Sequence, residues 1–202
     1  MTTEPWLDET FAGEGLDPRL AWHCPPPGWR LGAEGLRLST AAGTDFWQGT
    51  HYGFRVDNGH ALLAAIEGDF VMTTWVGITP EHQYDQAGLM VRLDAQCWLK
   101  TSVEHEPGEP SRLGAVITNH GWSDWSTQDL DAALGRDVAF RVTQRGSDYL
   151  IEAAIAGGSW SQLRLGRLQE DQGGAIRAGL YACSPKAAGL TARFERLTIA
   201  AA

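Results

Sequence analysis

The sequence predicts an all-β protein, a single-domain antiparallel β-sandwich of about a dozen strands spanning residues 1–202. Apolar and polar residues alternate with a period of two along almost the whole chain, as expected of strands that bury one face. Turn signals recur about every ten residues. The 24 Gly and 9 Pro are scattered among these segments and form no tracts, which is typical of many short strands joined by turns.

The first part of the chain is predicted to contain short strands and one long loop. The expected strands are "ETFAG", "LAWHC", "WRLGAEGLRLST", "ALLAAIEG" and "DFVMTTWVGI". Gly68-Asp69 separates the last two, and this dipeptide between apolar runs predicts a hairpin. The prolines Pro25 to Pro27 cannot donate to a sheet, so we expect them at a sheet end. The segment "AAGTDFWQGTHYGF" is predicted to be a loop.

The rest of the chain continues the alternation. We expect a strand pair from "QAGLMVRLD" and "CWLKTSVEHE", turning at Ala95-Gln96. Further strands are expected in "SRLGAVITN", "DVAFRVTQR", "YLIEAAIAG", "WSQLRLGRL", "AIRAGLYACS" and "LTARFERLTIA". The stretch "HGWSDWSTQ" is predicted to be a loop, and "TQDLDAALG" is a candidate helical turn.

The strand pair that turns at Ala95-Gln96 divides its side chains between two faces, because residues two apart in a strand share a face. One face is apolar and is expected in the core, together with apolar residues of later strands. The predicted core residues are Ala87, Leu89, Val91, Leu93, Cys97, Leu99, Thr101, Val103, Phe140, Val142, Leu180 and Phe194.

The other face of this pair carries Gln86, Met90, Trp98, Lys100 and Glu104. A solvated face has little use for a Trp, and a buried face rarely carries a Lys and a Glu. The mixture indicates a binding floor, on which Trp98 stacks against a ligand and the charged groups orient it. The alternative is a structural Lys100–Glu104 ion pair, with Trp98 covered by a loop.

The two interpretations differ in what the charges contribute to stability. On a binding floor Lys100 and Glu104 are exposed, and removing either charge is expected to change stability by about 0–1 kcal/mol. If the pair is buried, removing one partner is expected to cost about 3–5 kcal/mol.

Polar loops are expected to reach the same floor, although Asp and Asn in turns often bond only their own backbone. The candidate ligand-binding residues are Asp45, Trp47, His60, Tyr84, Gln86, Trp98, Lys100, Glu104, Trp122, Asp124 and Trp125. The histidines are scattered without metal-ligand spacing, so no metal site and no cofactor is expected.

Charge and composition argue against several classes of partner. The formal net charge is −9 and the pI is about 5.0, and Lys100 and Lys186 are the only lysines. Neither nucleic acid nor an anionic membrane surface is therefore an expected partner. The acidic start "MTTEPWLDETFAG" predicts no signal peptide. Three widely spaced cysteines without a C-x-x-C motif favour a reducing cytoplasm.

Support for an enzyme is weak. The chain contains no G-x-S-x-G, H-E-x-x-H, P-loop or dinucleotide-binding glycine motif. A glycosidase needs two carboxylates facing one cleft, and Glu104 and Asp124 are the candidates for such a pair.

Four motifs resemble one known family. The stretches "TDFWQGTHYGFRVDNGH", "YDQAGLMVRLDAQCWLKTSVEHE", "SDWS" and "AGLYACSP" are similar to those of the regulation-of-enolase family of concanavalin A-like proteins, long labelled a domain of unknown function. The resemblance covers roughly Trp22 to Ile199. The opening of the chain also resembles the C-terminal sandwich of family-43 β-xylosidases.

The resemblance implies a concanavalin A-like jelly roll of two antiparallel sheets with one concave face, and it brings no catalytic mechanism. Three functions remain open. The first is binding of a carbohydrate or small sugar derivative on the concave face. The second is interaction with a glycolytic enzyme such as enolase, because one fungal member is linked to enolase and galactose metabolism. The third is the activity of a glycoside hydrolase or lyase.

Overall fold

A computed structural model of the protein describes residues 5–131, 133, 138–169 and 176–202. Over those ranges the chain forms seventeen strands and no helix. In chain order the strands are β1 (Leu7–Glu9), β2 (Leu20–His23), β3 (Gly28–Arg30), β4 (Leu36–Ser39), β5 (Phe46–Gln48), β6 (Arg55–Asp57), β7 (His60–Ile66), β8 (Phe70–Thr79), β9 (Gln86–Arg92), β10 (Trp98–Glu104), β11 (Ser111–Asn119), β12 (Trp122–Leu130), β13 (Val138–Arg145), β14 (Asp148–Ile155), β15 (Ser161–Arg167), β16 (Ile176–Cys183) and β17 (Thr191–Ala201).

Two large antiparallel sheets make up the sandwich. The first has the order β15-β14-β13-β8-β17-β4-β3, with β1 also paired to β17. The second has seven strands in the order β12-β11-β10-β9-β16-β7-β2. A separate two-stranded ribbon, β5–β6, completes the described strands. The predicted all-β sandwich is confirmed, and short strands of three or four residues raise the number above a dozen.

The core lies between the two large sheets. Leu99 of β10 pairs with Val91 of β9, and Val103 pairs with Ala87, so both strands turn the same apolar side chains inward. The most specific core predictions, Leu89, Val91, Leu99, Val103, Phe140, Val142, Leu180 and Phe194, all belong to one buried cluster. The assignment of the two faces of β9 and β10 is therefore confirmed.

The predicted hairpin at Gly68-Asp69 is wrong. Strand β7 pairs with β16 and β2, whereas β8 pairs with β13 and β17. Both edges of each strand are occupied, so the turn carries the chain from one sheet to the other. A tight turn between two apolar strands is compatible with a hairpin and with a crossover between two sheets. The two differ only in which strands β7 and β8 pair with.

Three loop and turn predictions and one strand prediction also differ from the structure. "HGWSDWSTQ" is mostly strand β12, an edge strand whose exposed side chains obscure the alternation. "AAGTDFWQGTHYGF" contains β5 and "ETFAG" begins at the end of β1. In "TQDLDAALG", the first four residues belong to β12. Residues 132 and 134–135 of the predicted helical turn lie outside the described residues.

No helix among the described residues is long and apolar enough to cross a membrane.

Truncating a core residue of β10 tests the assignment of the faces. Leu99 is fully buried, so Leu99→Ala removes apolar contacts and leaves a cavity, and the free energy of unfolding is expected to fall by about 2–5 kcal/mol. Urea denaturation measures the change. The matched control is Leu165→Ala, because Leu165 is 66% exposed and its truncation is expected to stay within about 0.5 kcal/mol. Equal losses at both positions would contradict the assignment.

Candidate functional site

A cavity of about 410 Å³ lies on the outer face of the seven-stranded sheet. Its floor comes from β9, β10 and β11, and β12 contributes Trp125 to one wall. The β5–β6 ribbon and the segments around Tyr84 and Pro185 close the other sides. The volume lies in the range of small-molecule sites, about 300–1,000 Å³.

The ribbon is held on the sheet by a second apolar cluster, separate from the core between the sheets. Phe46 of β5 is fully buried and packs against Trp98 and Tyr181 of the sheet. A Cβ on Gly59 would lie only 2.2 Å from the Phe46 ring, so glycine is required where the chain passes this side chain. The "TDFW" and "DNGH" motifs therefore fix the position of Asp45.

Asp45 reaches from the ribbon to the floor. Its Oδ1 accepts hydrogen bonds from its neighbour Phe46 N at 2.7 Å and from Lys100 Nζ at 3.0 Å. Lys100 is only 4% exposed. Burial opposes the charged form of Lys100 and is the largest single effect, but the attraction of Asp45 together with the smaller effects of Cys183 and Glu104 outweighs it, and the pKa of Lys100 is raised. The two side chains therefore form a buried ion pair.

Gln86 of β9 connects this ion pair to the rest of the floor. Its Oε1 accepts from Lys100 Nζ at 2.9 Å and from Tyr181 OH at 3.0 Å. Its Nε2 donates to Glu104 Oε2 at 2.8 Å and to the Tyr84 carbonyl at 3.1 Å. Two donors thus meet the amide oxygen and two acceptors meet the amide nitrogen, which uses all four hydrogen bonds of the side chain and fixes its orientation.

Glu104 of β10 ends this chain of hydrogen bonds. Its Oε2 is bonded to Gln86, whereas its Oε1 is buried and has no partner among the described residues. Burial raises the pKa of Glu104 to about 8, and the attraction of Lys100 only partly offsets the effect. At neutral pH the carboxyl group is therefore mostly protonated, so it can donate a hydrogen bond into the cavity.

The structure agrees with part of each interpretation of this face. Lys100, Gln86 and Glu104 line a cavity, as a binding floor requires. Lys100 is buried, however, and Asp45 is its ion-pair partner, so the expectation that Lys100 is exposed is wrong. The direct Lys100–Glu104 pair is also wrong, because Gln86 lies between the two groups.

Aromatic side chains form the upper wall of the cavity. Trp47 meets Trp125 edge-on at 6.4 Å between ring centroids and Tyr52 at 5.5 Å. Tyr52 stacks on Phe54 at 5.8 Å. Trp125 is 37% exposed, Phe54 48% and Tyr52 52%. Large rings thus remain open to solvent beside the buried polar floor.

The structure brings together seven of the candidate binding residues and leaves four elsewhere. The seven that line the cavity are Asp45, Trp47, Tyr84, Gln86, Lys100, Glu104 and Trp125. The four outside its wall are His60, Trp98, Trp122 and Asp124.

Each of these four has a structural reason for its position. Trp98 is fully buried beneath the ribbon, so it offers no ring to a ligand. His60 accepts from Ala41 N and contacts the Cys24 carbonyl. Trp122 packs against the Arg55 guanidinium. Asp124 is paired with Arg164 and is 72% exposed.

The position of Asp124 separates the two candidate catalytic carboxylates. Asp124 pairs with Ile117, which faces the core between the sheets, whereas Trp125 pairs with Val116 on the cavity side. Residues directly opposite in a ladder share a face. Glu104 and Asp124 therefore point to opposite faces and do not form a glycosidase pair.

Sequence reasoning did not select Tyr52, Phe54, Arg112 and Lys186, which also line the cavity. Arg112 could have been selected by assuming that β10 and β11 form a hairpin, because Arg112 then lies opposite Glu104 on the neighbouring strand. Lys186 follows the "ACSP" motif, but only the folded chain shows that this segment borders the cavity. Among the described residues no group of three or more His, Cys, Asp or Glu could hold a metal ion.

Comparison with known sequences gives two consistent matches. The model of the family described as "Protein of unknown function (DUF1349)" matches residues 22–202. The chain is also similar to "Regulation of enolase protein 1" of Saccharomyces cerevisiae, with 35% identity over 166 residues, covering 82% of this chain and 81% of that protein. The resemblance found in the motifs is thereby confirmed.

Solved structures show the same fold. One described as a functionally unknown protein from Saccharomyces cerevisiae superposes with a TM-score of 0.83 at 33% identity, covering 91% of this chain and 97% of that one. "Bacteroides ovatus Xyloglucan PUL GH43B" has a TM-score of 0.77 at 19% identity, covering 100% of this chain and 40% of that one. At that identity the second likeness concerns the fold alone.

The Lys100–Asp45 ion pair can be tested by its effect on stability. Lys100→Met leaves the Asp45 carboxylate without its cation, so the free energy of unfolding is expected to fall by about 3–5 kcal/mol. The double variant Lys100→Met, Asp45→Asn is expected to recover most of this loss, because no unpaired charge remains. Urea denaturation of both variants measures these changes.

The control is Arg196→Met, which breaks the exposed ion pair with Asp8 and is expected to change stability by less than about 1 kcal/mol. An equally small effect of Lys100→Met would contradict the structural importance of the buried pair.

Proposed function

The chain belongs to the DUF1349 family and is similar to "Regulation of enolase protein 1" of yeast, and we propose that its cavity binds a carbohydrate or small sugar derivative. One observation carries the proposal: exposed aromatic rings and buried hydrogen-bonding groups line the same cavity. A sugar presents apolar C–H faces and polar hydroxyl groups, and it needs both kinds of surface at once.

The aromatic wall supplies the apolar contact. Trp47 and Trp125 meet at a right angle, which leaves the outer part of Trp125 free to cover the C–H face of a pyranose ring. Aromatic rings provide large contact areas while losing little conformational entropy, since each has only two side-chain torsions.

The floor supplies the polar contacts. Lys100 has three donor hydrogens and uses two of them on Asp45 and Gln86, so one is available for a hydroxyl oxygen. Ser102 lies on the same face of β10, between Lys100 and Glu104. Side chains two residues apart in a strand are separated by about 6.6–6.8 Å, so neighbouring members of this row can contact hydroxyl groups on opposite sides of a sugar ring.

The proposal concerns binding and assigns no reaction, because Glu104 and Asp124 face away from each other. A cytoplasmic location remains part of it, and Cys24, Cys97 and Cys183, which form no disulfide, fit a reducing compartment.

Sugar binding is tested by isothermal titration with a panel of monosaccharides, disaccharides and sugar derivatives. For any sugar that binds, Trp125→Ala is expected to raise Kd about tenfold, equivalent to about 1.4 kcal/mol, because the stacking surface is lost. Trp29→Ala is the matched control, since Trp29 is similarly exposed at 43% but lies on the other sheet. The proposal fails if no member of the panel binds, or if both variants weaken binding equally.

The second candidate function is interaction with a glycolytic enzyme, and the observation that favours it is the name of the yeast relative. Exposed Trp6, Trp29 and Trp122 offer large rings outside the cavity, and Trp is enriched in the energetic centres of protein interfaces.

This function is tested by mixing the purified chain with purified enolase and measuring sedimentation and enolase activity. A faster-sedimenting complex with altered activity is expected if the second function holds. Two independent boundaries with unchanged activity would exclude enolase as the partner.

A further inference from the structure

The cationic residues around the cavity contrast with the charge of the whole chain. The chain has a net charge of −9 and only two lysines, yet both Lys100 and Lys186 line the cavity, together with Arg112. When both lysines of an acidic protein line one cavity, that cavity is expected to attract negatively charged ligands.

We propose, on the premise that the cavity binds a sugar, that the ligand is an anionic sugar whose phosphate or carboxylate group binds between Arg112 and Lys186 at the Glu104 end. Glu104 donates a hydrogen bond to this anionic group. The sugar ring lies against the aromatic wall.

The three side chains converge on one end of the cavity. Arg112 of β11 is directly opposite Glu104 in the ladder. The Lys186 ammonium lies 5.3 Å from the centre of the Tyr84 ring. The Tyr84 carbonyl and Glu104 both accept from Gln86 Nε2, which places Tyr84 beside Glu104. Arg112 and the segment that carries Lys186, which follows Cys183, therefore both lie at the Glu104 end of the floor, because Glu104 pairs with Gln86 and Gln86 pairs with Cys183.

The positive charge at this end is not cancelled within the cavity. The lining carboxyl groups among the described residues are Asp45 and Glu104, and Asp45 is bound to Lys100. Arg112 contacts Asp129, which is 67% exposed and outside the cavity wall. Lys186 forms no ion pair with any described residue. Lys186 is therefore available to hold an anion, and Arg112 can add hydrogen bonds from the guanidinium nitrogens that its Nη1 ion pair with Asp129 does not use.

Glu104 strengthens the assignment because its buried Oε1 has no partner among the described residues. Burial is the main reason that the pKa of Glu104 is raised to about 8, and the negative charges of Asp45 and Glu106 act in the same direction. The positive charges of Lys100 and Arg112 favour the ionised form and offset only part of this effect. Tyr84 also borders Glu104, with a pKa raised mainly by burial. The protonated group donates to an anion, but the carboxylate repels one, so binding weakens as the pH rises through about 8.

The test compares glucose, glucose 6-phosphate, glucuronate and inorganic phosphate by isothermal titration at about pH 7 and about pH 9. At least one anionic sugar is expected to bind about tenfold or more tighter than glucose at the lower pH, and to weaken at the higher pH. Whichever of the two anionic sugars binds tighter identifies phosphate or carboxylate as the preferred group.

Variants locate the anion. Lys186→Gln and Arg112→Gln are expected to raise Kd for the anionic sugar about tenfold more than Kd for glucose. Lys186 is exposed, so its variant is expected to fold normally. Glu104→Gln keeps a donor but cannot ionise, and it is expected to flatten the dependence on pH between about 7 and 9. Arg37→Gln, on the other sheet, removes one positive charge as a control and is expected to leave binding unchanged.

The outcomes separate the two proposals. Equal affinity for glucose and both anionic sugars would overturn the anionic ligand and leave sugar binding in place. If inorganic phosphate binds as tightly as glucose 6-phosphate, the sugar ring adds nothing to the affinity, and the proposed function is overturned. A panel in which nothing binds would overturn both.

Discussion

The ion pair between Lys100 and Asp45 joins the two parts of the molecule from which the cavity is built. Lys100 belongs to the floor of the seven-stranded sheet, and Asp45 directly precedes the β5–β6 ribbon. The ribbon is also held by Phe46 and its apolar neighbours and by the ion pair between Asp57 of β6 and Arg92 of β9. The Lys100–Asp45 pair also directs the Gln86 oxygen toward Lys100, so the Gln86 nitrogen faces Glu104. This contact thereby helps to orient Lys100, Gln86 and Glu104.

The same arrangement divides the cavity into regions of different chemistry. Near the ribbon, Lys100 is neutralised by Asp45, and the exposed rings of Trp125, Tyr52 and Phe54 provide apolar surface. At the opposite end of β10, Glu104 is held uncharged by burial beside two cations. A low-dielectric floor with few free charges strengthens each remaining hydrogen bond to a ligand. The cavity can therefore distinguish ligands by the position of their charge as well as by shape.

Local pattern was sufficient to predict some of these features and insufficient for others. The faces of β9 and β10 followed from strict alternation over seven residues, which places Lys100 and Glu104 on the side away from the core. The burial of Trp98 depends on the ribbon above it, a contact between segments far apart in sequence. Asp124 was misplaced because β12 is an exposed edge strand whose polar residues resemble a loop. The β7–β8 crossover depends on pairing partners, which no local signal specifies.

Glu104 is expected to be uncharged at neutral pH, because burial raises its pKa to about 8. Carbon-13 NMR of the glutamate side-chain carboxyl groups measures its ionisation directly, with the Glu104→Gln spectrum used to assign the signal. We expect the Glu104 signal to titrate near pH 8, whereas an unperturbed glutamate titrates near 4.5. A Glu104 signal that titrates near 4.5 would show that Glu104 is a carboxylate at neutral pH and cannot donate a hydrogen bond to the ligand.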